Sequence, residues 1–264
     1  MSDILDQILE DKRAFLEQQK ESVDLEKIKE TGDKHQPRDF ASALKGKGIQ
    51  LISEIKPKAP SAGSLTDLDP EKIAWVYQEE CPAAVSVLTD EPYFGMTLDD
   101  FRKVRAILDK PVLRKEFIID PFQIHRTAAL GADAVLLIAS VLSPDELAEL
   151  HEKAVGYDLQ CLVEVHSLEE WESVPFTPEL LGINNRTLEG DFSTDLSVTE
   201  QLAPRIPDEA TIVSESGIET HDDIQRLADV PGVEAVLVGS ALLESAGSPE
   251  EVRHRVRKLM GEDS

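Results

Sequence analysis

Short apolar runs recur along the chain, and each is followed by a stretch whose apolar residues fall every three or four positions. The runs are IQLISEI (49–55), AAVSVLT (83–89), PVLRKEF (111–117), AVLLIA (134–139), QCLVEV (160–165), ELLGIN (179–184), TIVSES (211–216) and EAVLVG (234–239). Several are apolar almost throughout, which predicts parallel strands buried on both faces. Helix starts lie between them. Asp69-Pro70, Asp120-Pro121, Ser143-Pro144 and Ser248-Pro249 each set a capping side chain before a proline suited to the first helical turn. Ser143 with Glu146, and Ser248 with Glu251, read as capping boxes. The last helix carries Val252, Val256, Leu259 and Met260 on one face.

Eight strand–helix pairs over residues 49–264 predict an α/β fold, a single (β/α)8 TIM barrel. The alternative is a doubly wound open sheet. It would announce a Gly-rich turn after its first strand, and none follows IQLISEI. Residues 1–48 precede the first strand and hold an amphipathic helix with Ile4, Leu5, Ile8 and Phe15. The expected organisation is one domain: a helical extension, 1–48, packed across the bottom or one side of a barrel, 49–264.

Polar residues then interrupt the pattern at a consistent place, where strands run out. Glu54 and Lys56 end the first run, Lys115 sits in the third and Glu164 closes the fifth. A charge at the end of a buried strand is costly unless it is paired or used in chemistry. Residues two apart on a strand share a face, so Ile52, Glu54 and Lys56 point one way, as do Leu113, Lys115 and Phe117, and Leu162 and Glu164. Singly, each has an ordinary reading: a structural ion pair at Glu54–Lys56, a surface lysine at 115, a stabilising pair at Glu164. Jointly they describe an acid–base site at the end of a barrel where active sites are built. Strand 6 likewise runs into Asn184-Asn185-Arg186, and strand 7 into Glu215-Ser216-Gly217.

Two turns suit phosphate: Ser216-Gly217 after strand 7 and Gly239-Ser240 after strand 8. Glycine lets backbone N–H groups approach an anion, and the loops after strands 7 and 8 are the frequent phosphate cradle of this fold. Phe94 after strand 2 reads equally as loop packing or as a flank for an aromatic ring. His125, His166 and His221 are isolated, with no HxH or HExxH spacing and no cysteine cluster, so neither a metal site nor a cofactor is expected.

Composition narrows the partners. The chain has 264 residues, 41% of them apolar, enough for one large core. Fifty-two acidic against 27 basic residues give a net charge of −25, which argues against nucleic acid and against an anionic membrane. No apolar run approaches the roughly 20 residues of a membrane span. The acids are spread along the whole chain, which predicts a heavily hydrated surface that needs salt to offset self-repulsion. Cys81 and Cys161 are far apart and unclustered, as in a reducing cytoplasm.

The stretches SEIKPKAPSAG, VLTDEPYFGM, LRKEFIID, LVEVHS, GINNRTL, SESGI and LVGSALL follow one another in this order, and the resemblance they carry covers nearly the whole chain. Together they resemble the indole-3-glycerol-phosphate synthase family, (β/α)8 enzymes of tryptophan biosynthesis. The resemblance implies ring closure, decarboxylation and dehydration of 1-(2-carboxyphenylamino)-1-deoxyribulose 5-phosphate, with no cofactor. It implies Lys115 as the acid at the ketone oxygen, with Glu54 helping to hold it protonated, and Glu164 as the base. Lys56 matches a lysine that contacts substrate and serves as a second acid. Asn184 matches a residue orienting Glu and substrate. Arg186 matches one near the anthranilate carboxylate, Leu188 and Phe94 match apolar walls, and Ser216, Gly217, Gly239 and Ser240, with Lys56, match the phosphate end.

The chain departs from the family pattern at Ala59, where a serine usually helps bind phosphate, so weaker substrate binding with intact chemistry is expected. Two other readings compete: a Schiff-base aldolase with Lys115 as nucleophile, and a degenerate barrel that only binds phosphorylated ligands. The partners expected are a phosphorylated small molecule, no nucleic acid and no membrane, for a cytoplasmic monomer or weak homo-oligomer.

Overall fold

A computed structural model of the chain describes residues 4–60, 63–80, 82–187 and 193–262. Among these residues, eight parallel strands close into a barrel: β1 (Gln50–Ile55), β2 (Ala84–Leu88), β3 (Val112–Lys115), β4 (Ala134–Ile138), β5 (Gln160–Val165), β6 (Leu180–Asn184), β7 (Thr211–Glu215) and β8 (Val233–Val238). Each pairs with its neighbour in sequence, and β8 returns to β1 with Gln50 beside Ala235. The (β/α)8 barrel expected from the pattern is the fold observed.

Alternation along each strand builds two layers. Inward residues such as Ile52, Leu113, Leu136, Leu162, Val213 and Leu237 fill the barrel. Outward residues such as Val85, Val135, Val163, Ile183, Ile212 and Val236 meet the surrounding helices. Those helices are α4 (Pro70–Glu80), α5 (Glu91–Phe94), α6 (Leu98–Ile107), α7 (Pro121–Ala129), α8 (Pro144–Val155), α9 (Leu168–Ser173), α10 (Ser197–Leu202), α11 (His221–Ala228), α12 (Ser240–Leu243) and α13 (Pro249–Met260). Asp69 caps Glu71 N at 2.9 Å, Asp120 caps Phe122 N at 2.9 Å, and Ser143 with Glu146 makes the full reciprocal box. At α13 only half of the expected box forms. Ser248 caps Glu251 N, but the Glu251 carboxylate accepts from Gly247 N and Arg255 instead of reaching back. None of the described helices is long and apolar enough to cross a membrane.

Strand β3 stops at Lys115, two residues short of the expected end. Beyond it the backbone is held by side chains instead of a ladder. Glu116 Oε1 accepts from Phe117 N at 3.0 Å, and Gln123 bonds both Phe117 O and Ile119 N at 2.8 Å.

Residues 4–48 hold α1 (Ile4–Ser22), α2 (Leu25–Gly32) and α3 (Phe40–Ala43), which touch the barrel at both ends. Phe40, Ala41 and Leu44 are buried against the interior layer and plug the bottom, where the Phe40 and Ala41 N–H groups donate to Gln160 Oε1 at the start of β5. α2 packs along α7. α1 runs to the other end, where Leu5 reaches the central cavity and Lys12 pairs with Asp90 and Glu116. Its buried face is Ile8, Leu9, Lys12 and Leu16, whereas Ile4 and Phe15 of the expected face are 36% and 46% exposed. A buried lysine must meet carboxylates, and those it meets stand just past the C-terminal ends of β2 and β3. This contact carries α1 over the top of the barrel.

Candidate active site

The inward rows end in polar side chains at one rim: Glu54 on β1, Lys56 just past it, Lys115 on β3, Glu164 on β5, Asn184 on β6 and Glu215 on β7. Glu54, Lys56, Lys115, Glu164 and Asn184 line one cavity of about 550 Å³, a size ordinary for a small-ligand site, and Glu215 lies fully buried behind Lys115. Phe94, Arg186, Ser216, Gly217, Gly239 and Ser240 line it too. Leu188 lies outside the described residues.

Two glycines make room for the buried carboxylates. A methyl group at Gly182 would strike Glu215 Oε1, and one at Gly239 would strike Glu54 Oε1. Gly239, expected at the phosphate end, therefore also makes room for an acid of the charged cluster.

The charges form a chain. Lys56 Nζ lies 2.8 Å from Glu54 Oε1, Glu54 Oε2 lies 3.4 Å from Lys115 Nζ, and Lys115 Nζ lies 2.8 Å from Glu215 Oε2. Burial works against the Lys115 ammonium, but Glu215, Glu54 and Glu164 outweigh it and raise its pKa. Burial also opposes the Glu54 carboxylate, yet Lys56 and Lys115 hold its pKa down at about 2. Glu215 goes the other way. Burial pushes it up to about 7, against the pull of Lys115 and with the repulsion of Glu164 and Glu54. A lysine held protonated is an acid and a poor Schiff-base nucleophile, which sets aside the aldolase reading.

Glu164 Oε2 and Glu215 Oε1 are buried and accept no hydrogen bond among the described residues. Buried acceptors left in this state are costly in a stable core and common where a ligand is bound. Glu164 Oε1 lies 3.4 Å from His166 Nε2, and His166 Nδ1 lies 3.1 Å from Glu170 Oε2. His166, expected to be isolated, thus stands between two carboxylates.

The other walls follow from local structure. Asp90 caps Tyr93 N and Gly95, at φ 76°, ends α5, which sets Phe94 with its ring centroid 6.4 Å from that of Phe117. Arg186 N donates to Asn184 Oδ1 at 3.0 Å, and Arg186 pairs with Thr194 in an isolated bridge. Ser216 and Gly217 both have left-handed backbone, φ 66° and 76°. Asn185 holds that turn, its Nδ2 donating to Glu215 O at 2.9 Å and Ser216 O at 3.1 Å. A helical turn follows Gly239 at once, but α11 begins only at His221, so the dipole argument applies to the β8 loop alone and weakly. Ala59 is buried and absent from the described cavity lining, so this conformation gives no support to a phosphate contact from position 59.

The sequence marks Glu215 as a polar strand end and His166 as an isolated histidine without giving either a role, and it gives no notice of Lys12 or Glu116. Glu215 ends an apolar strand just as Glu164 does, so the same rule reaches it. Lys12 and Glu116 carry no such signal, because each is buried only through the partner the fold brings to it.

A closed parallel barrel with lysines and carboxylates gathered at its C-terminal rim defines a (β/α)8 enzyme of the acid–base type. The family model described as indole-3-glycerol phosphate synthase matches residues 5–259. An indole-3-glycerol phosphate synthase of Dehalococcoides mccartyi is 42% identical over 97% of this chain and 100% of its own length. One of Shouchella clausii is 50% identical over 74% of this chain and 77% of its own. The chain belongs to the indole-3-glycerol phosphate synthase family. Among solved structures, a tryptophan synthase complex structure from Pyrococcus furiosus aligns over 80% of this chain and 97% of that one, with a TM-score of 0.60 and 14% identity. N-(5'-phosphoribosyl)anthranilate isomerase of the same organism aligns over 81% and 99%, with a TM-score of 0.56 and 13% identity. At such identities these two show the fold alone.

Proposed function

We propose that the chain carries out the reaction of its family, converting 1-(2-carboxyphenylamino)-1-deoxyribulose 5-phosphate into indole-3-glycerol phosphate, carbon dioxide and water. The observation that carries this reading is the Lys115 ammonium, held by Glu215 at 2.8 Å and Glu54 at 3.4 Å in the cavity that Glu164 also lines.

Substrate phosphate binds at Ser216, Gly217, Gly239 and Ser240, with Lys56 in reach. The aromatic ring lies along Phe94, with Leu188 as a further wall, and Arg186 takes its carboxylate. As the ring carbon attacks the ketone, negative charge gathers on the ketone oxygen, and Lys115 stabilises it and delivers a proton. The carboxylate then leaves as carbon dioxide, and its electron pair restores the ring. In dehydration Lys56 protonates the departing hydroxyl while Glu164 takes the anilinic proton. Asn184 Oδ1 is occupied by Arg186 N, which leaves the amide donors for substrate or Glu164. The working place on this reading is the cytoplasm, as a monomer or weak homo-oligomer. The buried free Cys161, its thiol pushed up to about 12 by burial, suits a reducing compartment.

The test is indole fluorescence from that substrate in high KCl, with wild type, Lys115→Met and Glu164→Gln. Wild type should give signal, and each variant should lose about 10²–10⁴-fold in kcat. No indole from wild type overturns the activity, and full activity in Lys115→Met overturns the mechanism.

A further inference from the structure

Beside the central cavity lies a second one of about 470 Å³, lined by Leu5, Asp6, His166, Glu170 and Arg186 among others. His166 lines this second cavity, and Glu164 beside it lines the central one. Its backbone N–H donates to Glu170 Oε2 at 2.7 Å, and its ring Nδ1 lies 3.1 Å from the same oxygen. A carboxylate accepts, so Nδ1 carries its hydrogen toward Glu170. The other nitrogen, Nε2, lies 3.4 Å from Glu164 Oε1, has no hydrogen bond among the described residues and is buried. A bare Nε2 beside an ionised Glu164 would set lone pair against lone pair. The contact is favourable only with one proton between them, on the ring or on the carboxyl.

We propose that His166 is the positioning residue behind Glu164: the proton between them lies on the ring, and the imidazolium holds Glu164 ionised and oriented as the base. The proposal rests on the reading of Glu164 as the base. The ring meets a carboxylate on each side, Glu164 Oε1 at Nε2 and Glu170 Oε2 at Nδ1. This leaves Glu164 Oε2, which has no hydrogen bond among the described residues, to take the substrate proton.

The charged groups around His166 are Glu164 on β5, the strand His166 follows, Glu170 on α9 and Glu215 on β7, with Asp6 of α1 and Arg186 after β6 along the second cavity. Burial disfavours the charged ring, and the three glutamates outweigh burial and raise its pKa. This balance keeps the imidazolium accessible in the range where the enzyme works.

The experiment compares wild type, His166→Asn, Glu170→Gln and Glu164→Gln by kcat and KM across about pH 5 to 9, with thermal unfolding recorded for each. His166→Asn should lower kcat about tenfold, less than loss of the base itself, with KM unchanged. Its acidic limb of kcat/KM should move up by about one pH unit, because a carboxylate that loses a neighbouring positive charge is easier to protonate. Glu170→Gln, which keeps the imidazole, should move the limb the same way by less. It also keeps the test alive if His166→Asn fails to fold. A wild-type pH profile in both variants overturns the proposal, as does a uniform loss of kcat with no movement of the limb. Activity retained in Glu164→Gln overturns instead the base assignment on which the proposal stands.

Discussion

Lys115 is part-buried with two carboxylates in contact, and its neighbours carry opposite pH signatures. Glu54 is held at about 2, below its ordinary 4.5. Its contribution to stability is therefore full above about 4.5 and lost as pH falls toward 2. Glu215 is pushed up to about 7 from 4.5, so between those values the folded state binds more protons than the unfolded chain. Stability should fall as pH rises through that window. We expect Glu215→Gln to flatten the stability–pH curve there, measured by urea unfolding at several pH values. A slope equal to that of wild type would show that Glu215 does not take up its proton in this range. The same variant removes the nearest partner of the Lys115 ammonium, so its kcat should fall as well.

At the scale of elements, α1 is fixed by a buried junction. Lys12 Nζ lies 2.8 Å from both Asp90 Oδ2 and Glu116 Oε1, with the three side chains 7%, 2% and 3% exposed. Glu116 also meets Arg114 at 3.3 Å, and Arg114 Nε donates to Thr89 Oγ1 at 2.9 Å, so the loops after β2 and β3 share one network. Removing one member of a buried ion cluster leaves uncompensated charge. Lys12→Met should cost about 3–5 kcal/mol in chemical denaturation. Because Leu5 on the same helix lines the cavity, KM should rise with it. Lys20 is the control. It reaches Asp120 from the same helix at 2.6 Å, but the pair is 35% and 26% exposed, and Lys20→Ala should cost no more than about 1 kcal/mol. Equal losses from both substitutions would mean that burial does not set the strength of these ties.

On the scale of the whole molecule, the ring of helices closes where its last member meets its first. Arg253 and Arg257 of α13 bind Glu79 and Glu80 of α4. This seam is one place where the acidic chain spends its limited cations. With a net charge of −25, long-range repulsion opposes the compact state, and added salt screens it. The expected outcome is a melting temperature that rises from dilute buffer to molar KCl. A melting temperature that does not change would remove the case for a salt-requiring surface.

The sequence by itself determined the barrel, because eight β-rich apolar runs alternating with capped helical segments have few other ways to bury both faces of every strand. It also determined where the charged cluster sits, since charges that end strands such as LISEI and CLVEV must gather at one rim. What it left open were relations between residues far apart in the chain. Whether Lys12 faces water or carboxylates depends on where α1 crosses the barrel. Whether His166 is isolated depends on the turn that brings Glu170 back to it, and the proton preference of Glu215 depends on Lys115, Glu164 and Glu54 meeting it in space. Periodicity is local and survives in the order of residues. Burial and charge pairing are sums over neighbours, and only the closed barrel decides which neighbours those are.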